Sequence, residues 1–166
     1  MDETVIRETI KLWEKEPDKA KGSPIVRARA EGSQAILEAG PFTWRADLPA
    51  ALGGKNEAPS PTAFLLGALA GCAVVFIRDT LAPQLGVRIE SVSASAKCKA
   101  DSRGLLGLEG SIADLQELEV SIEIESSDSE ENVQRLYQTW RERCPVYLAL
   151  TKTMPVKTTM CVKREL

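Results

Sequence analysis

The chain has 166 residues and no histidine. Imidazole is the usual general base of hydrolases and a frequent metal ligand, so a single subunit cannot build sites that depend on it. The sequence also has no CxxC motif, which removes the commonest pattern of a metal-binding or redox cysteine pair. We therefore expect no metal and no cofactor, and thiol chemistry remains the strongest catalytic option. The four cysteines are Cys72, Cys98, Cys144 and Cys161.

Basic residues are slightly outnumbered and form no block. There are 21 Lys and Arg against 24 Asp and Glu, which gives a formal net charge of -3. A nucleic-acid-binding domain carries a basic patch or stripe, so we expect no nucleic-acid partner. Residues 1–5 are acidic and contain no apolar h-region, so we predict a cytoplasmic protein without a secretory signal, whose cysteines stay reduced.

Only one long apolar run occurs. No charged residue lies between Glu57 and Arg78, and Ser60-Pro61 is a typical helix start, with serine as N-cap and proline in the first turn. The uncharged part of the helix is then residues 62–77, whereas a membrane span needs about 20 apolar residues. The helix itself is predicted to run to about Leu81 and to stop before Pro83. We therefore predict a core helix and no membrane partner. Because the helix is apolar nearly all round, the rest of the fold or a second subunit must cover it.

The remaining chain predicts short elements around this helix. Residues 1–24 form an amphipathic leader and linker, and a single α+β domain follows over residues 25–166. Turn residues separate three predicted strands over residues 25–47, as in a β-meander. The later predicted elements are a bulged strand at 87–100, a strand at 118–124, a helix at 130–143, a helical turn at 146–151 and a final strand at 156–163.

Two cysteines are candidates for chemistry. Cys72 lies about three turns inside the predicted helix, beyond the reach of the helix dipole, and burial there would raise its pKa. It would need a cation from elsewhere in the fold to react; otherwise it is a small buried core residue. Cys144 precedes Pro145, so it is either the N-cap of a new helical turn, where a thiolate is favoured, or simply the end of the preceding helix.

The sequence around both cysteines resembles one family. The stretch LGGKNEAPSP at residues 52–61, the small-residue helix that ends in Ala70-Gly71-Cys72, and the tripeptide Cys144-Pro145-Val146 are similar to the OsmC/Ohr family. The order and spacing match over residues 25–163. The resemblance implies an α+β fold in which antiparallel sheets wrap around a long central helix, and in which two subunits form an intertwined homodimer.

The resemblance also implies an activity, which is cofactor-free reduction of organic hydroperoxides in the oxidative stress response. It assigns Cys72 as the thiol that becomes a sulfenic acid and Cys144 as the thiol that resolves it, with Arg45 as the arginine of the site. A small dithiol or thiol would then reduce the disulfide.

One residue departs from the family pattern and supports an alternative. Thr62 stands at the family's glutamate position, so the alternative is an OsmC-like dimer that binds a small apolar or thiol ligand with little peroxidase activity. Glu57, in the loop before the helix, is a candidate replacement for that carboxylate.

Overall fold

The computed structural model describes residues 3–163 of the chain. It confirms the predicted α+β class with antiparallel sheets and a central helix. The helices are α1 (Glu3–Lys15), α2 (Pro61–Phe76), α3 (Ala82–Leu85), α4 (Ser102–Leu105), α5 (Glu130–Arg143) and α6 (Pro145–Thr151). The strands are β1 (Arg27–Glu31), β2 (Gln34–Ala39), β3 (Phe42–Ala46), β4 (Ser91–Lys99) and β5 (Gln116–Glu125). Short 3-10 turns cover Pro17–Ala20 and Ala50–Leu52.

The central helix continues beyond the point where the sequence predicted its end. We expected it to stop before Pro83, but α2 passes through a π-helical turn, Ile77–Leu81, into α3. In that turn the Ala82 amide donates to the Ile77 carbonyl, five residues back. Proline has no amide to donate, and the wider turn places Pro83 in the first turn of α3, where an amide is not required. Gly86, at φ 66°, then ends the helix.

Two separate antiparallel sheets form, with strand orders β1-β2-β3 and β4-β5. The first is the predicted meander. In the second, the register shifts between Lys97 and Lys99, where Glu117 of the facing strand adopts φ 48°. A bulge was predicted in the strand at 87–100, but the extra residue lies in the facing strand β5, where residues 117 and 118 stand opposite Cys98. The irregularity lies at the end of the sheet that leads into the 101–115 loop.

The buried core lies between α2, α3, α5 and the inner face of the β4-β5 sheet. Cys144 belongs to this core, whereas Cys72 is half-buried and packs against it. The buried members are Leu69, Ala73, Ile77, Leu81, Ala82, Val87, Leu136, Trp140 and Cys144. The sheet contributes Val92, Ala94, Ala96, Val120, Ile122 and Ile124, which are partly buried against them. The core therefore surrounds the middle and the end of the central helix.

The meander, which we call the arm (residues 27–46), contributes little to this core. Within it Ile36 and Ala46 are buried, but β1 is exposed along its whole length and Phe42 is 69% exposed. The three strands of the arm thus pair with one another, but most of their side chains are not buried.

The predicted final strand at 156–163 is wrong within the described chain. The segment has no ladder partner there and forms no strand. Its apolar side chains project outward, with Val156 79%, Met160 89% and Val162 67% exposed. The alternation of apolar and polar residues is present, but a strand also needs a neighbour for its backbone groups, and the described chain does not supply one.

Candidate functional site

Helix α2 and the junction of α5 with α6 bring two thiols together. The Cys144 thiol donates to the Cys72 sulfur at a distance of 3.2 Å, and both cysteines are free. A disulfide bond is about 2.05 Å long, so closure needs the two sulfur atoms to approach by about 1 Å. The site is therefore a reduced dithiol poised for oxidation.

Local backbone chemistry explains why Cys144 points inward. Its amide donates to the Trp140 carbonyl at 2.8 Å, the last bond of α5, and its carbonyl accepts from the Leu148 amide at 2.9 Å, the first bond of α6. Its own backbone is extended (φ -66°, ψ 114°), as the position before Pro145 requires. This bend between the two helices directs the sulfur toward α2.

The beginning of α6 acts on the other sulfur. Cys144 both ends α5 and occupies the N-cap position of α6, so the two predicted positions coincide, and its side chain makes no capping hydrogen bond. The Val146 amide donates instead to the Cys72 sulfur, which lowers the pKa of Cys72. The sequence did not reveal this contact, because it depends on how α6 packs against α2.

The net electrostatic effect nevertheless opposes ionisation of Cys72. Burial, and after it the neighbouring Cys144 thiol, raise the pKa of Cys72 to about 11. Among the described residues, no cation acts on this sulfur. The Cys72 thiol is therefore protonated near neutral pH and is not activated within a single chain.

The two sulfur atoms differ in access. Cys144 is 0% exposed and is enclosed by core side chains that include Leu136 and Trp140, also 0% exposed. The Trp140 ring packs against Tyr147 with centroids 5.0 Å apart and against Tyr137 with centroids 6.0 Å apart. Solvent and small reagents therefore reach the pair from the Cys72 side.

The structure does not bring Arg45 to these thiols within the chain. Its guanidinium lies 3.1 Å from a Glu31 carboxylate oxygen and donates to the Gln34 amide oxygen at 2.8 Å. Gln34 donates in turn to Glu57 at 3.3 Å. Arg45 and Glu57 are thus linked through Gln34, on the exposed surface of the arm.

Thr62 is also remote from Cys72 of its own chain. The two residues are ten positions apart on α2, which corresponds to about 15 Å along the helix axis. Thr62 instead borders a groove of about 540 Å³ between the 48–62 loop and the 100–115 segment. Its apolar lining includes Leu48, Leu52, Leu105, Leu106 and Leu115. A carboxylate at position 62 could not contact Cys72 of the same chain.

The sequence prediction missed Asp47, a 3% exposed carboxylate that organises the loop before α2. It accepts hydrogen bonds from the backbone amides of Leu48 at 2.7 Å, Glu57 at 2.9 Å and Lys55 at 3.3 Å. These donors, first among them the Glu57 amide, hold the pKa of Asp47 below its ordinary value. The sequence signal that could have identified this residue is its position between a strand and a Gly/Pro-rich loop.

The same loop depends on Gly54. A Cβ atom added there would lie 1.9 Å from the Leu48 carbonyl oxygen, so the loop crosses itself at this point with no room for a side chain. Asp47 and Gly54 together fix one wall of the groove.

No group of three or more His, Cys, Asp or Glu side chains is placed to hold a metal ion among residues 3–163. The helical stretch Pro61–Leu85 is long and apolar enough to cross a membrane by length and composition, and 22% of its most apolar part is buried. Its packing against α5 and the β4-β5 sheet is that of a core helix with a further face left uncovered.

Comparison with known proteins identifies a family. A sequence profile described as OsmC-like protein matches residues 54–159, which include both cysteines. No curated protein matches the sequence.

Solved structures share the fold. An OsmC-like protein from Mycoplasma pneumoniae is similar with a TM-score of 0.65 and 21% identity, over 79% of this chain and 89% of that one. An organic hydroperoxide resistance protein OsmC from Legionella pneumophila has a TM-score of 0.59 and 19% identity, over 78% of this chain and 89% of that one. An organic hydroperoxide resistance protein from Vibrio cholerae, with captopril bound in one of its active sites, has a TM-score of 0.54 and 16% identity, over 78% and 84%.

Proposed function

The chain belongs to the OsmC-like protein family, and we propose that it is a thiol-dependent peroxidase that reduces organic hydroperoxides as part of the oxidative stress response. The observation that carries this proposal is the 3.2 Å separation between the Cys72 and Cys144 sulfur atoms. Structural relatives named as organic hydroperoxide resistance proteins support the same reading. The proposed location is the cytoplasm, where thiol reductants keep both cysteines reduced.

The proposed reaction has two steps on the enzyme. The Cys72 thiolate attacks the terminal oxygen of the hydroperoxide, the O–O bond breaks, and the alkoxide leaves and takes a proton to become an alcohol. The Cys144 sulfur then attacks the sulfur of the Cys72 sulfenic acid, and hydroxide leaves as water with the Cys144 proton. A small dithiol or thiol reduces the disulfide and completes the cycle.

Access supports the assignment of roles. Cys144 is fully buried and Cys72 is half-buried, so a hydroperoxide reaches Cys72 first. Cys144 needs only to reach the Cys72 sulfur, which it already contacts. The roles that the family resemblance implied therefore agree with the accessibility of the two thiols.

The same site is incomplete in one chain, and this supports a homodimer as the active form. Burial and the Cys144 thiol raise the pKa of Cys72 to about 11, and no cation in residues 3–163 opposes this increase. Thr62 lies about 15 Å along α2 from Cys72 of its own chain, and Arg45 is on the exposed arm. We propose that Arg45 and the Thr62 end of α2 act on Cys72 of a second copy.

Unpartnered apolar surface supports the same assembly. The arm and the 156–163 segment expose large apolar side chains, among them Phe42 and Met160, and much of the central helix is uncovered. A second copy that covers these surfaces would bury them and give the 156–163 segment a strand neighbour. Static light scattering should report a dimer at micromolar concentration. A monodisperse species at the chain mass of 18.1 kDa would contradict the assembly.

A second candidate function has its own observation. The lining of the groove of about 540 Å³ beside Thr62 includes five leucines, and a threonine there cannot fix an arginine by charge. These features favour a dimeric binding protein for a small apolar or thiol ligand, with little peroxidase activity. The two candidates differ in what they require of the raised pKa of Cys72: a peroxidase needs it lowered in the dimer, and a binding protein does not.

Peroxide consumption by matched variants tests the peroxidase proposal. With cumene hydroperoxide and dithiothreitol, Cys72→Ser should abolish turnover, because it removes the attacking sulfur. Cys144→Ser should still reduce one equivalent of hydroperoxide rapidly, and Cys98→Ser should behave as wild type. Wild-type turnover in Cys72→Ser would contradict the mechanism.

The pH dependence of Cys72 alkylation separates the two candidates. If the dimer supplies a cation, the midpoint of iodoacetamide alkylation should lie well below pH 11, since a nearby cation favours the thiolate. A midpoint that stays near 11 in the assembled dimer would instead favour the binding protein.

A further inference from the structure

The unequal burial of the two sulfurs also constrains the reductive half of the cycle. Either sulfur of a protein disulfide can in principle be attacked by an incoming thiolate, and access is one factor that decides between them. In this chain Cys144 is 0% exposed, while Cys72 is half-buried. The asymmetry is large enough to select one sulfur.

We propose that a reducing thiol attacks only the Cys72 sulfur and that Cys144 is always the leaving group, an inference that rests on the proposed function above. A bond forms between the reductant sulfur and Cys72, and the Cys72–Cys144 bond breaks. The electron pair of that bond leaves on the Cys144 sulfur, which takes up the proton released by the incoming thiol.

The direction of approach supports this choice. A thiolate attacks a disulfide along the extension of the S–S axis, opposite the leaving sulfur. Attack on Cys144 would have to come from its far side, through the core occupied by Leu136 and Trp140, both 0% exposed. Attack on Cys72 needs no path through that core, because this residue is only half-buried. Oxidation moves the sulfurs by only about 1 Å, so it leaves this arrangement in place.

The 3.2 Å contact has a consequence for the mixed disulfide. Once Cys72 carries a reductant sulfur, Cys144 lies beside it and can attack the Cys72 sulfur again, which expels a monothiol. A monothiol adduct on Cys72 should therefore be short-lived in the wild type and should accumulate when Cys144 is absent.

Peptide mapping of the adduct tests the proposal directly. The background is Cys98→Ser/Cys161→Ser, because Cys161 is exposed and would itself be modified. The protein is oxidised with diamide, mixed briefly with glutathione, quenched in acid, and its free thiols are labelled with N-ethylmaleimide. We expect glutathione on Cys72 and maleimide on Cys144. Glutathione on Cys144, or equal labelling of both positions, would overturn the proposal.

A second measurement gives a result even if that adduct is too short-lived to trap. In the same background, Cys144→Ser and Cys72→Ser are each treated with glutathione disulfide at the same pH. Cys72 should be modified at least about tenfold faster than Cys144, and urea should remove the difference. Comparable rates for the two thiols in the folded protein would contradict the proposal.

These experiments stand apart from the peroxidase activity. Diamide forms the disulfide without a hydroperoxide, so an inactive peroxidase would still show which sulfur is attacked. Conversely, an active peroxidase with adducts on Cys144 would retain the proposed function and lose this inference.

Discussion

The core that holds the dithiol and the arm that holds Arg45 differ in how far their side chains are buried within one chain. Around the thiols, side chains from α2, α3, α5 and β4-β5 converge until Leu136, Trp140 and Cys144 are 0% exposed. The three strands of the arm are joined by two ladders, yet β1 is exposed along its length. The strands therefore pair with one another locally, whereas burial of their side chains requires a surface from elsewhere.

Because of this difference, the two reacting sulfur atoms lie together in the core, whereas the charge that would ionise Cys72 lies on the arm. Both sulfurs that the proposed reaction needs are in contact within one chain. The charge that would ionise Cys72 is not there, because Arg45 is engaged by Glu31 and Gln34 on the arm. The chain is thus complete for disulfide formation and incomplete for peroxide attack, and the missing part is expected from assembly.

Truncation in the core should give the largest effect on stability. Leu136→Ala removes a fully buried side chain and should lower the free energy of unfolding by about 2–5 kcal/mol, because it leaves a cavity. The matched control Leu105→Ala alters a side chain that is 61% exposed and should change it by less than about 0.5 kcal/mol. Urea denaturation at one protein concentration measures both, and equal losses would refute the distinction.

A smaller loss is expected in the loop that joins the arm to α2. In Gly54→Ala the new Cβ would meet the Leu48 carbonyl oxygen at 1.9 Å, so the backbone must shift, at a cost of about 1–3 kcal/mol. Gly22→Ala is the control, because nothing lies within 4 Å of its Cβ position. A Gly54→Ala protein as stable as Gly22→Ala would contradict the loop geometry.

The pH dependence of stability should report the Asp47 carboxylate. Its pKa is lowered in the folded state, so its contribution is present above the unfolded-state value of about 3.9 and is lost as the pH falls through the folded-state pKa. The stability difference between wild type and Asp47→Asn should therefore shrink below about pH 4. For the control Asp114→Asn, whose side chain is exposed, the stability difference from wild type should not depend on pH in this range. A difference that is independent of pH would refute the assignment.

The smallest effect on stability is expected at Arg45. Its ion pair with Glu31 is exposed, so Arg45→Ala should change the free energy of unfolding by about 0–1 kcal/mol. If the arm reaches Cys72 of a second copy, the same substitution should lower hydroperoxide reduction by about tenfold or more, because the thiolate loses its cation. Arg27→Ala, on the same arm, is the control for activity. Unchanged turnover in Arg45→Ala would remove Arg45 from the proposed mechanism.

Features governed by local sequence were predictable. The Ser60 cap, the meander and the start of α5 each follow from residues that are close together in the chain. The family resemblance also identified Cys72 and Cys144 as the reacting cysteines. Asp47 was missed, although its position after a strand was a local signal.

Features governed by packing between distant segments were not predictable. The Val146 amide meets the Cys72 sulfur only because α6 docks on α2. The π-helical turn arises because a helix held on both sides by the core must accommodate Pro83. The strand expected at 156–163 failed for a related reason, since a strand pattern does not show whether a neighbouring strand lies in the same chain.

Detection of a Cys72–Cys144 disulfide after exposure to one equivalent of an organic hydroperoxide tests the central claim most directly. The reduced wild-type protein is treated with cumene hydroperoxide, alkylated, digested and mapped by mass spectrometry. We predict a Cys72–Cys144 cross-link that forms in step with release of the alcohol and is absent from Cys144→Ser. Oxidation of Cys98 or Cys161 with both Cys72 and Cys144 recovered as free, alkylatable thiols would contradict the account.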